Sequence, residues 1–269
     1  MPRVSIENIK SPSSPTRDRA GRPAVVLILW VVLLGLFAGV APVAQAAFAV
    51  PIELLSLVML APAMACIVII FRPMWMPAAW KAAVSQEVLT SALVAVVSVV
   101  GFVGVLALLT GRSPSWPPDT AGAPLVVFLV LQAVGVLSEE IGWRGVVQRC
   151  GEQFAKPAVV SAVAGFVFGA THLGYWSLGA LPMLIFALTA MLMSLTITTI
   201  FVGSFWQRMI PAVIVHLGVN LGMGSLSVSD QPLATTWMGV GAAMAMLLLA
   251  AVGRSLISQP AGRLARSAR

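Results

Sequence analysis

An all-α, polytopic transmembrane helical bundle of about eight spans, with both termini cytoplasmic, is the fold class this sequence predicts, and three observations predict it. The chain of 269 residues is 59% hydrophobic and 9% charged, far below the roughly 25% charged content of a soluble domain. Its apolar residues are gathered into long runs separated by short polar or Pro/Gly-containing breaks. Its basic residues fall in the tails and in alternate breaks.

In chain order, residues 1–23 carry Arg3, Lys10, Arg17, Arg19 and Arg22 among Ser and Pro and read as a disordered basic cytoplasmic tail. The transmembrane domain follows at 24–253. Span 1 runs from Ala24 to Val50. It contains Ala44-Gln45-Ala46, which resembles a signal-peptidase site, but the apolar run continues through Ala47, Phe48 and Ala49 and the polar lead is long, so it is read as a span. Span 2 is bracketed by Pro51 and Arg72, and span 3 runs from Val88 to Leu109. Span 4 extends from Ala123 to Cys150, span 5 from Pro157 to His172, and span 6 from Leu181 to Val202. Span 7 lies between Met209 and Met223, and span 8 between Ala234 and Val252. Spans 5 and 7 are short for a hydrocarbon core of ~30 Å. Residues 254–269, with Arg254, Arg263, Arg266 and Arg269, read as a second basic cytoplasmic tail.

Charge supports the even count. With both ends cytoplasmic, Arg72, Lys81, Arg149, Lys156 and Arg208 join the two tails on the inside, Arg112 falls outside, and Arg144 lies within a span. The formal charge of +7 is therefore a matter of loops and tails. No basic face on a soluble domain is present to engage nucleic acid. The two cysteines, Cys66 and Cys150, lie in separate apolar regions with neither disulfide-framework nor metal-type spacing.

The chemistry concentrates in the motif core at 123–223. Span 4 holds Ser138-Glu139-Glu140-Ile141-Gly142-Trp143-Arg144, and each such charge costs about 2.5–3.5 kcal/mol at the centre of an inserted helix. Intramembrane ionisable residues of this kind mark functional sites with nearby partners. The candidates are the chain's only histidines, His172 and His216. His216 and Asn220, four residues apart, share one helix face. At ~1.5 Å of rise per residue, Glu139, His172, His216 and Asn220 fall within one layer of the bundle. Glu140 and Arg144, also spaced i, i+4, form a supporting ion pair, while Glu139 points about 100° away towards the histidines. Gly165/Gly169 and Gly218/Gly222 allow close helix approach, within one chain or between two, and Thr189, Ser194, Thr196, Thr198 and Thr199 of span 6 read as interhelical hydrogen-bonding residues.

Glu139-Glu140-x-x-x-Arg144, Phe168-x-x-x-His172 and His216-x-x-x-Asn220 together resemble the three motifs of the CPBP (CAAX protease and bacteriocin-processing, or Abi) intramembrane endopeptidases. The resemblance covers residues 139–220. It implies an intramembrane peptidase in which Glu139 and His172 polarise the attacking water and His216 and Asn220 stabilise the oxyanion, with Glu140, Arg144 and Phe168 in support. It also implies a peptide or membrane-protein substrate, prenylated or bacteriocin-like. A compact body with short tails points to a bacterial plasma membrane. A metallo-type site would draw zinc ligands from Glu139, Glu140, His172 and His216. The absence of His-Glu-x-x-His and of an i, i+4 histidine pair favours a glutamate-dependent mechanism with no cofactor. Two other classes stay open on the residues alone: a proton-coupled transporter, which also uses intramembrane Glu, Arg and His, and a non-catalytic immunity or scaffold protein.

Overall fold

Helices carry the chain back and forth between two ends of a bundle in the computed structural model, which describes residues 21–115, 120–226 and 232–257. The main helices are α1 (Pro23–Ala47), α2 (Leu57–Phe71), α3 (Ser85–Thr110), α4 (Leu125–Gly151), α5 (Pro157–Ala170), α6 (Ala180–Ile200), α7 (Phe205–Leu226) and α8 (Trp237–Ile257). No strand occurs among the described residues. The fold is all-α, as the composition implies. Six of these helices, all but α2 and α5, have 21 to 27 residues and are apolar enough to cross a membrane, which takes about 20 residues. The protein is an integral multi-pass membrane protein. Most of the two basic tails, at 1–20 and 258–269, lies outside the described residues.

Each apolar run of the sequence contains helix, and the differences lie in lengths. Span 7 begins earlier than its apolar run, at Phe205, because the polar residues before Met209 are satisfied at the helix entry. Gln207 Oε1 accepts from the backbone N–H of Ser204 and Ala83, and Arg208 Nε donates to the Gly203 carbonyl. The short elements are α2 and α5. In α2 a 3₁₀ turn at Leu57–Leu60 leads to separate α-helical turns at Ala61–Met64 and Ile67–Phe71. Pro62 has no N–H to continue the ladder. Its carbonyl accepts instead from Trp30 Nε1 at 3.1 Å. That bond, with Trp30 only 1% exposed, ties α1 into the bundle. Gln45 does the same at the other end of α1, donating to the carbonyls of Val50 and Leu55 and accepting from the Leu57 N–H.

The core is built by α6, which packs on α5 and α8, and by α3, which packs on α8 and α7; α4 closes the arrangement against α7 and α2. The glycine pairs act where the sequence places them. A Cβ on Gly169 would sit 2.5 Å from Ala187 Cα of α6, and one on Gly218 would sit 2.5 Å from Val99 Cγ1 of α3. Only a bare backbone admits those crossings. Thr189 of α6 donates to Ala234, and Ser194 and Thr198 both engage Ser161 of α5, whereas Thr196 and Thr199 bond back to carbonyls of their own helix. Outward faces carry large apolar side chains such as Ile28, Leu36, Val97 and Leu248, the surface a bilayer requires. Cys66 and Cys150 are free thiols.

Candidate active site

The acidic pair sits where the α-helical part of α4 ends. Residues Leu125–Glu140 are α-helical and Ile141–Gln148 form a π-helical stretch, a rare conformation that recurs at functional sites. The wider turn brings Gly142 onto α2, where an added Cβ would lie 2.5 Å from Pro62 Cβ. Glu139 is 7% exposed and Glu140 and Arg144 are 1% exposed each. Arg144 Nε lies 3.2 Å from Glu140 Oε2, so the i, i+4 pairing read from the sequence forms, although without the alignment of a hydrogen bond.

Glu140 has a second partner that the sequence spacing did not reveal. His216 Nδ1 lies 2.7 Å from Glu140 Oε1 and donates to it. Its Nε2 is 3.6 Å from Glu139 Oε2. One imidazole thus bridges the two carboxylates. Glu140 is held between a guanidinium and an imidazole, with each oxygen facing one of them.

His172 lies at the end of its span, just past the last helical residue. α5 ends at Ala170, Thr171 caps it, and a 3₁₀ stretch follows at Leu173–Leu178. His172 is therefore the hinge between helix and connection. Its Nδ1 donates to the Phe168 carbonyl at 2.8 Å, a bond that fixes the neutral tautomer and leaves Nε2 as the acceptor. Phe168 stands edge-on between the histidines, its ring centroid 4.7 Å from that of His172 and 5.7 Å from that of His216. Behind it, Trp143 and Trp30 extend the edge-to-face series at 5.5 and 5.2 Å.

Glu139, Phe168, His172, His216 and Asn220 all line one cavity of about 460 Å³. Glu140 and Arg144 do not line it, which separates the cavity-facing carboxylate from the supporting pair. The rest of the lining is mostly apolar, with Met59, Met193, Met223 and Met246 among it. Two further aromatic residues line the cavity beside His172. Tyr175, the chain's single tyrosine, stacks on His172 with centroids 6.2 Å apart, and Phe186 meets His172 at 4.9 Å. Tyr175 lies three residues beyond His172, a proximity that was available as a signal. Phe186 comes from α6, and nothing in its local sequence marks it.

Among the described residues no set of three or more His, Cys, Asp or Glu side chains is arranged to hold a metal ion. One nitrogen of each histidine is already committed, to Glu140 or to the Phe168 carbonyl.

Residues 121–222 match the family model described as type II CAAX prenyl endopeptidase Rce1-like. The match bears out the CPBP resemblance. The Rce1-like segment opens just before α4 and reaches into α7, so it contains every motif residue and both histidines. It supports a CAAX-type intramembrane protease in general terms. No curated protein matches the chain.

Proposed function

We propose that this protein hydrolyses peptide bonds of membrane-associated substrates in a bacterial plasma membrane, using Glu139, His172, His216 and Asn220. The observation that carries the reading is their convergence. Residues from two helices and a helix end, up to 81 positions apart in sequence (139 to 220), line one apolar cavity inside the bundle.

Glu139 and His172 Nε2 act as the bases for a water held between them. As the water oxygen bonds to the scissile carbonyl carbon, its proton passes to Glu139 and the carbonyl oxygen takes the negative charge. Asn220 donates its amide N–H to that oxygen, and His216 stabilises it from its Nε2 side. Such donors, fixed in a water-poor site, stabilise the developing oxyanion without reorganising. Collapse of the tetrahedral species re-forms the carbonyl and breaks the C–N bond, and the proton held by Glu139 goes to the departing amine. Glu140 positions His216 through Nδ1, and Arg144 balances the Glu140 charge.

No step is routed through a metal ion, a reading supported by the commitment of His216 Nδ1 to Glu140 and of His172 Nδ1 to the Phe168 carbonyl. The test is cleavage of a co-expressed membrane-anchored peptide by the purified chain in lipid. Glu139→Gln and His172→Ala are expected to abolish cleavage while the protein stays folded. Undiminished processing by folded Glu139→Gln overturns the mechanism.

A further inference from the structure

The two ends of the bundle differ in charge, and the cavity belongs to only one of them. Among the described residues, Arg22, Arg72, Lys81, Arg149, Lys156, Arg208 and Arg254 lie at the end formed by the start of α1, α3, α5 and α7 and the finish of α2, α4, α6 and α8. Direct contacts tie that end together. The Arg22 N–H donates to the Trp75 carbonyl, Arg149 donates to Pro77, and the Arg208 guanidinium lies 4.0 Å over the Trp80 ring. Trp80 Nε1 donates to Glu152 at 3.2 Å. The opposite end holds Arg112, which reaches the Leu226 carbonyl.

The cavity begins at mid-helix, where Glu139 and His216 sit, and its lining continues away from the basic end to Ile52, Tyr175 and Pro232 in the connections. Ile52 is 62% exposed, so the lining reaches the surface there. Towards the basic end, α4 below Glu139 is filled by Trp143, Arg144 and Gln148, which are 5%, 1% and 0% exposed. Lys and Arg mark the cytoplasmic side of a multi-pass protein, since their translocation is disfavoured.

We infer that the catalytic cavity opens to the extracytoplasmic face and takes its substrate from that side, as a peptide segment held at the outer surface of the membrane. The inference rests on the peptidase reading for its substrate and on charge and cavity geometry for its direction. A prenylated cytoplasmic C-terminus would meet the closed, basic end. An exported peptide or an outward-facing juxtamembrane segment would meet the open one, with its apolar side chains against the methionines and its scissile carbonyl next to Glu139.

Two measurements on the full chain test this. The first is thiol labelling with a membrane-impermeant maleimide, using Ser113→Cys and Ser177→Cys at the cavity end and Lys81→Cys and Lys156→Cys at the basic end. All four positions are exposed, and the unsubstituted chain, with Cys66 part-buried and Cys150 buried, provides the blank. The first pair is expected to label in intact cells and the second only after permeabilisation. The reverse pattern overturns the inference. The second measurement co-expresses two substrates with the same anchor and cleavable segment, displayed on one or the other side of the membrane. Cleavage of the outward-facing one alone, lost in Glu139→Gln, supports the inference, and cleavage of the inward-facing one alone overturns it. Expected labelling with neither substrate cut by the wild type overturns the peptidase reading and leaves the direction of the opening standing.

Discussion

The imidazole of His216 is hydrogen-bonded to Glu140, with Nδ1 and Oε1 2.7 Å apart, although the two residues lie 76 positions apart and only one of them faces the cavity. A carboxylate placed behind a histidine sets which ring nitrogen points at the reactants. Here the same carboxylate also neutralises Arg144. The three residues therefore form one buried unit.

Breaking that unit has a structural cost separable from catalysis. Glu140→Gln leaves Arg144 buried without its counter-charge, and the expected loss is about 3–5 kcal/mol of stability. Adding Arg144→Met to Glu140→Gln removes the orphaned charge and is expected to restore most of it. Thermal unfolding in detergent measures both. Activity stays low in the double variant, because His216 has lost the carboxylate that orients it.

Glu139 contributes differently. It faces the cavity and has no guanidinium of its own, so Glu139→Gln is expected to unfold at nearly the wild-type temperature while kcat falls at least ~10²–10⁴-fold, the usual span for a lost general base. A large drop in unfolding temperature with proportionate loss of activity would make Glu139 structural instead.

Asn220 separates transition-state stabilisation from substrate binding. Asn220→Ala is expected to lower kcat by about 10²–10³-fold with KM nearly unchanged, as for other single oxyanion donors. A rise in KM at constant kcat would reassign Asn220 to ground-state binding.

The crossing of α5 and α6 predicts a remote effect on the site. Gly169→Ala places a methyl against Ala187 Cα, and forced separation of packed helices is expected to cost about 1–3 kcal/mol. Phe168 and His172 flank that position, so activity should fall further than stability explains. Comparing kcat at a temperature where both proteins are fully folded checks this. Unchanged kcat and unfolding temperature would show that the crossing relaxes freely.

The chemistry proposed for Glu139 predicts insensitivity to metal removal. Full activity is expected after exhaustive chelation, with elemental analysis showing no stoichiometric metal. Zinc lost in parallel with activity, and activity regained on zinc return, would require a metal-centred mechanism.

The sequence by itself determined the apolar runs and hence the membrane-spanning helices, because hydrocarbon demands long apolar segments with internally satisfied backbones. It also determined the i, i+4 pairs Glu140/Arg144 and His216/Asn220, which helical geometry brings together locally, and the glycine pairs that admit close helix approach, but not which helices they meet. The residues later found around the cavity were legible for a related reason: a charge, histidine or asparagine in an apolar run stands out from its surroundings. Tertiary structure alone decided what joins distant helices. Glu140 could not be seen as the partner of His216, because a side chain's second hydrogen bond depends on which helix packs across from it. Phe186 could not be distinguished from any other core aromatic. The broken α2 followed from Trp30 claiming the Pro62 carbonyl, a contact that hydropathy does not encode. The mouth of the cavity likewise needed the packed bundle, since only there do the filled and open halves of α4 become distinct.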